Sequence, residues 1–231
     1  MLREIPGAVG RLEALLDEPS VGRGSNRNGR FEAGRTDRIR AAVVFAHPHP
    51  QHGGTMHTKA VYQSAKALAR IGCAALRFNF RGIGLSQGAF DNAVGEQDDC
   101  RAAIDFMAGR YPEAPVWVGG MSFGGYVASI VGVNDPRVST VIGVSMPLGR
   151  FDFSALRDSI KPKFFIHAER DELCPLKQVR AFYAAAAEPK DLVVIDSANH
   201  VFDGKAGEVG DALEELLADW PDRSISGAQT Q

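Results

Sequence analysis

Short runs of consecutive apolar residues alternate with longer amphipathic stretches over most of the chain. The run at residues 41–46 is entirely apolar and the run at 73–80 is mostly so, which is typical of parallel strands buried on both faces. Between them, residues 57–70 repeat apolar side chains at helical spacing. Strands that alternate with helices predict the α/β class, with a mostly parallel central sheet and helices on both faces.

The same alternation continues towards the C-terminus. Further strands are predicted at residues 116–119, 138–144, 163–167 and 192–195, and further helices at 96–109, 123–131, 175–187 and 205–220. Residues 12–16 are expected to form a strand, because glycine and proline lie nearby. We expect one domain over residues 1–223, with a flexible glycine- and arginine-rich loop at 20–38 and a disordered tail at 224–231.

Length and composition limit the classes of function. The 231 residues suit one domain, and 45% apolar residues with a net charge of −2 give no reason to expect nucleic acid or a membrane as partner. No apolar run reaches the roughly 18 residues that span a bilayer, and the N-terminus lacks the apolar core of a signal peptide. The cysteines, Cys73, Cys100 and Cys174, are odd in number and lack CxxC spacing, so we expect reduced thiols and a cytoplasmic location.

Gly120–Met121–Ser122–Phe123–Gly124 forms a GxSxG motif. The motif follows a predicted strand and opens a predicted helix, which is the context of a nucleophile elbow. Small residues on either side let the strand and helix approach closely, and the serine lies at a helix N-terminus that favours negative charge. The sequence therefore indicates Ser122 as a nucleophile, whereas the alternative is a serine that only caps the helix.

A serine nucleophile needs a base, and the base needs an acid that orients it. Asp171 follows the predicted strand 163–167, and His200 follows the predicted strand 192–195. The order Ser, Asp, His and the position after parallel strands both match a triad. His200 is then the base and Asp171 the acid, with Glu169 and Glu172 as rivals of Asp171.

A histidine-rich loop follows the strand at 41–46 and contains His47, His49 and His52. Three close histidines are compatible with a metal site, but few further ligands are available, so we expect no metal and no cofactor. The position instead suggests an oxyanion hole. Its first donor would be the N–H of Phe123, and its second the N–H of His49, with Gln51 as the alternative.

Together these motifs, with the segment 77–86 (Arg-Phe-Asn-Phe-Arg-Gly-Ile-Gly-Leu-Ser), resemble the α/β-hydrolase superfamily from about residue 12 to 220. The chain is similar to small lidless bacterial hydrolases related to dienelactone hydrolases and prolyl-oligopeptidase-type domains. It departs from them at two places: Ser122 stands where dienelactone hydrolases often carry cysteine, and Asn79 stands where many members carry aspartate. The resemblance implies a structural role for 77–86 and no catalytic role for Asn79, Arg81 or Ser86.

The resemblance also implies a substrate class. Only residues 147–162 lie where a lid would be inserted, which is too short for a folded cap, so we expect an open site that takes small soluble carboxylic esters through an acyl-enzyme. An acyl pocket is predicted from Met121, Met146 and Leu148, with Phe151 and Phe153 nearby, although these residues are equally compatible with a core. A thioesterase, a peptidase-like hydrolase and a catalytically silent small-molecule-binding protein remain alternatives. The sequence leaves a homodimer open.

Overall fold

The computed structural model describes residues 4–19 and 38–220. The predicted loop at 20–38, except for residue 38, and the predicted tail at 224–231 lie outside the described residues. No helix within the two described segments is long and apolar enough to cross a membrane.

Within the described residues, eight strands form one sheet in the order β1-β2-β4-β3-β5-β6-β7-β8. The six strands β3 to β8 are parallel to one another, whereas β1 pairs with β2, and β2 with β4, in antiparallel fashion. The strand bounds are β1 Glu4–Gly7, β2 Gly10–Asp17, β3 Ala42–Ala46, β4 Ala74–Phe78, β5 Val116–Met121, β6 Val138–Val144, β7 Lys163–Ala168 and β8 Lys190–Ile195. The predicted mostly parallel sheet is confirmed.

Six α-helices in the same two segments connect or cover these strands. Their bounds are α1 Lys59–Arg70, α2 Gly95–Arg110, α3 Phe123–Asn134, α4 Ser154–Asp158, α5 Leu176–Ala185 and α6 Ala206–Leu217. Helices α1 and α6 pack against each other, and α2 packs against α3. Strand β1, which forms a hairpin with β2, and the short helix α4 were not predicted from the sequence.

The core has two parts, one on each face of the sheet. Along β5, Val118 belongs to one cluster of buried side chains and Trp117 to the other. Successive side chains of a strand point to opposite faces, and both faces are covered by helices. This is why the two central strands, β3 and β5, carry no polar side chain on either face.

The connection from β6 to β7 is where a lid would lie. It contains the five-residue helix α4 and otherwise only turns and irregular backbone. The absence of a cap domain from the described connection agrees with the predicted lidless form. The carboxyl ends of β5, β6, β7 and β8 are therefore not covered by an inserted domain at this point.

The segment after β4 is held by buried polar contacts. The guanidinium of Arg81 forms a buried ion pair with Asp99, with Nη2 2.8 Å from Oδ1. The hydroxyl of Ser86 donates to the carbonyl of Asn79 at 2.7 Å, and the Asn79 side chain accepts from the N–H of Met56 at 2.8 Å. These contacts tie the segment to α2 and to the loop before α1.

Candidate active site

Ser122 lies in a tight turn between β5 and α3. Its φ of 52° and ψ of −118° are strained for a residue with a side chain. The turn is this tight because two glycines lack a Cβ: a Cβ on Gly120 would lie 2.5 Å from the carbonyl carbon of Gly124. The strained turn and the packed glycines are the geometry of a nucleophile elbow.

The imidazole of His200 joins Ser122 to Asp171. Its Nε2 lies 2.9 Å from the Ser122 hydroxyl, and its Nδ1 lies 2.8 Å from Oδ2 of Asp171. A carboxylate only accepts, so Nδ1 carries the hydrogen, and Nε2 is left to accept from the hydroxyl. Ser122, Asp171 and His200 are each at least nine-tenths buried, so little water competes for these bonds.

The Asp171 carboxylate is also bound by its own loop. Its Oδ1 accepts the backbone N–H groups of Leu173 and Cys174 at 2.9 and 2.8 Å. Burial raises the pKa of Asp171, but the hydrogen bond and charge of His200 and the Cys174 N–H lower it by more, so the net pKa lies below the ordinary value. The Asp171 carboxyl group is therefore ionised at neutral pH.

The two rival acids bind the backbone of the histidine loop and not the imidazole. Glu169 accepts the N–H of Ser197 at 2.7 Å, and Glu172 accepts the N–H of His200 at 3.1 Å. Three acidic side chains of the loop after β7 thus contact the loop after β8. Among them, Asp171 is the one hydrogen-bonded to the ring.

The histidine-rich loop lies against the first turn of α3. A Cβ on Gly124 would come within 2.4 Å of the His47 carbonyl oxygen, so the two backbones touch. The rings of His49 and Phe123 have centroids 5.0 Å apart. In the residues the structure describes, no three histidine, cysteine, aspartate or glutamate side chains are grouped to hold a metal ion.

The residues predicted to line an acyl pocket occupy different environments. Met121 is fully buried in the core cluster that contains Trp117. Met146 and Leu148 instead line a small apolar cavity together with Phe165 and other residues of β7 and α5. The structure therefore brings Met146 and Leu148 together and leaves Met121 apart from them.

Sequence reasoning missed His167 as a neighbour of the acid. Its Nε2 lies 2.8 Å from the carbonyl oxygen of Cys174 and 3.7 Å from Oδ2 of Asp171. Burial is the main reason why the pKa of His167 is lowered. The available signal was its position in β7, four residues before Asp171, at the edge of the sheet where Ser122, Asp171 and His200 meet.

Comparisons with known proteins place the chain in a family of serine hydrolases. The family described as "Serine aminopeptidase, S33" matches residues 37–151. A structure of an α/β serine hydrolase homologue from Coxiella burnetii is 33% identical, with a TM-score of 0.81, and the match covers 93% of this chain and 95% of that one. The chain belongs to the α/β-hydrolase superfamily.

Two further relatives are similar to this α/β-hydrolase over most of its length. An α/β serine hydrolase without a lid from Xanthomonas campestris is 29% identical, with a TM-score of 0.81, over 94% of this chain and 93% of that one. An uncharacterised protein of Rickettsia prowazekii is 32% identical over 198 residues, which is 82% of this chain and 83% of the relative. This α/β-hydrolase is thus of the small lidless kind, and its link to dienelactone hydrolases stays a prediction.

Proposed function

We propose that this α/β-hydrolase cleaves small carboxylic esters through an acyl-enzyme, with Ser122 as nucleophile, His200 as base and Asp171 as orienting acid. The observation that carries the proposal is the continuous chain of hydrogen bonds from the Ser122 hydroxyl through the imidazole to the carboxylate. A serine hydroxyl is a weak nucleophile unless such a base is in contact with it.

The reaction has two halves. The Ser122 hydroxyl gives its proton to Nε2 of His200 while Oγ forms a bond to the ester carbonyl carbon. When the tetrahedral intermediate collapses, the carbon–alkoxide bond breaks and His200 returns the proton to the leaving alcohol. In the second half, the same imidazole takes a proton from a water molecule while the water oxygen forms a bond to the acyl carbon. The bond from this carbon to Oγ then breaks, the carboxylic acid leaves, and His200 returns the proton to Oγ of Ser122. Asp171 stabilises the imidazolium in both halves.

The developing oxyanion would be bound by the N–H groups of Phe123 and His49. Phe123 is the first residue of α3, so its N–H has no acceptor within the helix. The His49 N–H likewise donates to no residue in the described segments. Gln51, the alternative donor, uses its N–H on Nδ1 of His49 at 3.3 Å, which favours His49.

The rim of the site offers apolar surface, which suits the uncharged acyl or alcohol group of a small ester. Leu173 and Val201, next to the acid and the base in sequence, are 41% and 52% exposed and give the rim apolar surface.

The direct test is a substrate panel assayed with wild type and Ser122→Ala. It contains p-nitrophenyl esters of graded chain length, one acyl-CoA and one peptide anilide. We expect the short esters to have the highest kcat/KM, and all turnover to disappear in the variant. Faster cleavage of the acyl-CoA or the anilide would favour a thioesterase or a peptidase. No turnover by folded wild type would favour a silent binding protein.

A further inference from the structure

The His47 imidazole is fully buried between two backbone groups. Its Nδ1 lies 2.7 Å from the carbonyl oxygen of Pro48, and its Nε2 lies 3.1 Å from the backbone nitrogen of Phe80. A carbonyl oxygen only accepts and a backbone N–H only donates. The ring is therefore neutral, with its hydrogen on Nδ1, so it donates to Pro48 and accepts from Phe80.

The carbonyl groups on both sides of the His49 N–H are fixed. The Pro48 oxygen is bound by His47 and also packs against Gly54, where an added Cβ would lie 2.1 Å from it. The His49 oxygen accepts the N–H groups of His52 and Gly54, each at 3.1 Å. The short 3₁₀ turn at Pro50–His52 is closed by these bonds.

This arrangement determines where the His49 N–H points. In a planar trans peptide, the C=O of one residue and the N–H of the next point in opposite directions. Because the Pro48 oxygen is turned towards the His47 ring, the His49 N–H is turned away from it. The first turn of α3 lies beside this backbone, since a Cβ on Gly124 would be 2.4 Å from the His47 oxygen.

We propose that His47 is a positioning residue for catalysis: its Nδ1–H holds the Pro48 carbonyl and so orients the His49 N–H as an oxyanion donor. The inference rests on the proposed esterase function. His47 itself touches neither the triad nor the substrate, and its effect reaches the reaction through one peptide group. A backbone donor cannot be deleted by substitution, so the residue that orients it is the accessible route to testing it.

Two near-isosteric variants separate the two bonds of the ring. In His47→Asn the side-chain amide replaces Nδ1 and keeps a donor for Pro48. In His47→Gln the amide replaces Nε2 and keeps an acceptor for Phe80, but the Pro48 donor is lost. We expect kcat for a p-nitrophenyl ester to fall about tenfold or more in His47→Gln, with KM within about threefold, because only transition-state stabilisation is lost. His47→Asn should retain more of kcat.

Two further measurements distinguish positioning from a merely structural role. The affinity for an alkyl boronic acid, which forms a tetrahedral anionic adduct on the serine, should fall in parallel with kcat/KM across the variants. The pH profile of kcat should keep its shape, because the base is unchanged. His57→Gln, a substitution of an exposed histidine outside this contact, should behave as wild type.

Equal kcat in folded His47→Gln and His47→Asn, or a loss of kcat without a loss of boronic-acid affinity, would overturn the inference. Thermal unfolding of each variant shows whether it is folded at the assay temperature. A different result would refute the esterase proposal: wild type itself would show no turnover and no covalent labelling of Ser122 by a fluorophosphonate. With wild type active and labelled, the His47 variants decide the inference alone.

Discussion

Glu172 and His200 are joined through the backbone: the Glu172 carboxylate accepts the His200 N–H at 3.1 Å. The neighbouring residue, Asp171, binds the ring of the same histidine at 2.8 Å. Two adjacent acids thus hold one histidine at two points, its main chain and its imidazole. The two contacts have different consequences, since only the second sets the tautomer and stabilises the charged ring.

Asp171→Asn and Glu172→Gln form a matched pair. In Asp171→Asn the amide no longer stabilises the imidazolium or fixes the tautomer, so we expect kcat on a short ester to fall by about a thousandfold or more. Glu172→Gln keeps a carbonyl oxygen for the His200 N–H, and we expect a loss of less than about tenfold. Steady-state kinetics measure both. A larger loss in Glu172→Gln than in Asp171→Asn would contradict the assigned acid.

A side chain at Gly124 is expected to lower both stability and activity. In Gly124→Ala the new Cβ would meet the His47 oxygen at 2.4 Å, and the backbone must shift to relieve it. We expect a destabilisation of about 1 to 3 kcal/mol together with a lower kcat, because the two proposed oxyanion donors, the N–H groups of Phe123 and His49, lie close to this contact.

The control is Gly109→Ala on helix α2, where an added Cβ meets nothing within 4 Å. Alanine is the better helix former, so this variant should be neutral or more stable by up to about 1 kcal/mol. Chemical denaturation measures both substitutions. Equal stability of the two variants would show that the elbow and the histidine loop are not in contact.

The Arg81–Asp99 ion pair is a stability element outside the active site. Asp99 is fully buried and also accepts the Arg81 backbone N–H at 2.9 Å. Asp99→Asn leaves a buried guanidinium without its counter-charge, so we expect a loss of about 3 to 5 kcal/mol in unfolding free energy. Asp98→Asn, beside it but half-exposed in its pair with Arg101, should lose less than about 1 kcal/mol.

Stability should fall in mild acid because His47 resists protonation. Burial lowers the pKa of His47 from 6.5 to about 4. Between pH 6.5 and 4 the unfolded chain takes up a proton at this residue that the folded protein does not. Protonation therefore lowers the free energy of the unfolded state relative to the folded state. The loss from His47 is about 3 kcal/mol at pH 4.

The comparison of wild type with His47→Gln isolates this contribution. The pKa of His167 is lowered as well, but His167 is present in both proteins and cancels in the difference. Urea unfolding at pH 7, 5.5 and 4.5 should show a steeper loss in wild type. Parallel curves would mean that His47 titrates alike in the folded and unfolded chains.

The sequence was sufficient for the sheet, because its inner strands are buried on both faces and are therefore mostly apolar, and β3 and β5 carry no polar side chain at all. It was also sufficient to bring Ser122, Asp171 and His200 together, since the residues that follow parallel strands meet at one edge of the sheet. The strand bounds 138–144 were predicted as the structure has them. These features depend on local pattern and on general rules of topology.

Other features depend on contacts between distant segments and had no local signal. The hydrogen bond from Phe80 to His47 joins residues 33 positions apart, and no pattern in the sequence indicates it. Helix α4 has five residues, too few to show a helical period. Asp171 binds the His200 ring and Glu172 binds its backbone N–H because of the path of two loops, and the order of residues alone does not determine that path.

The most direct test is to identify the residue to which a fluorophosphonate probe becomes covalently attached. Wild type, Ser122→Ala and His200→Ala are each treated with the probe, and intact mass and peptide mapping locate the adduct. We expect one adduct on wild type, on the peptide that contains Ser122, none on Ser122→Ala, and a labelling rate at least about a hundredfold lower in His200→Ala. An adduct on another residue, or equal labelling of folded His200→Ala, would contradict the account.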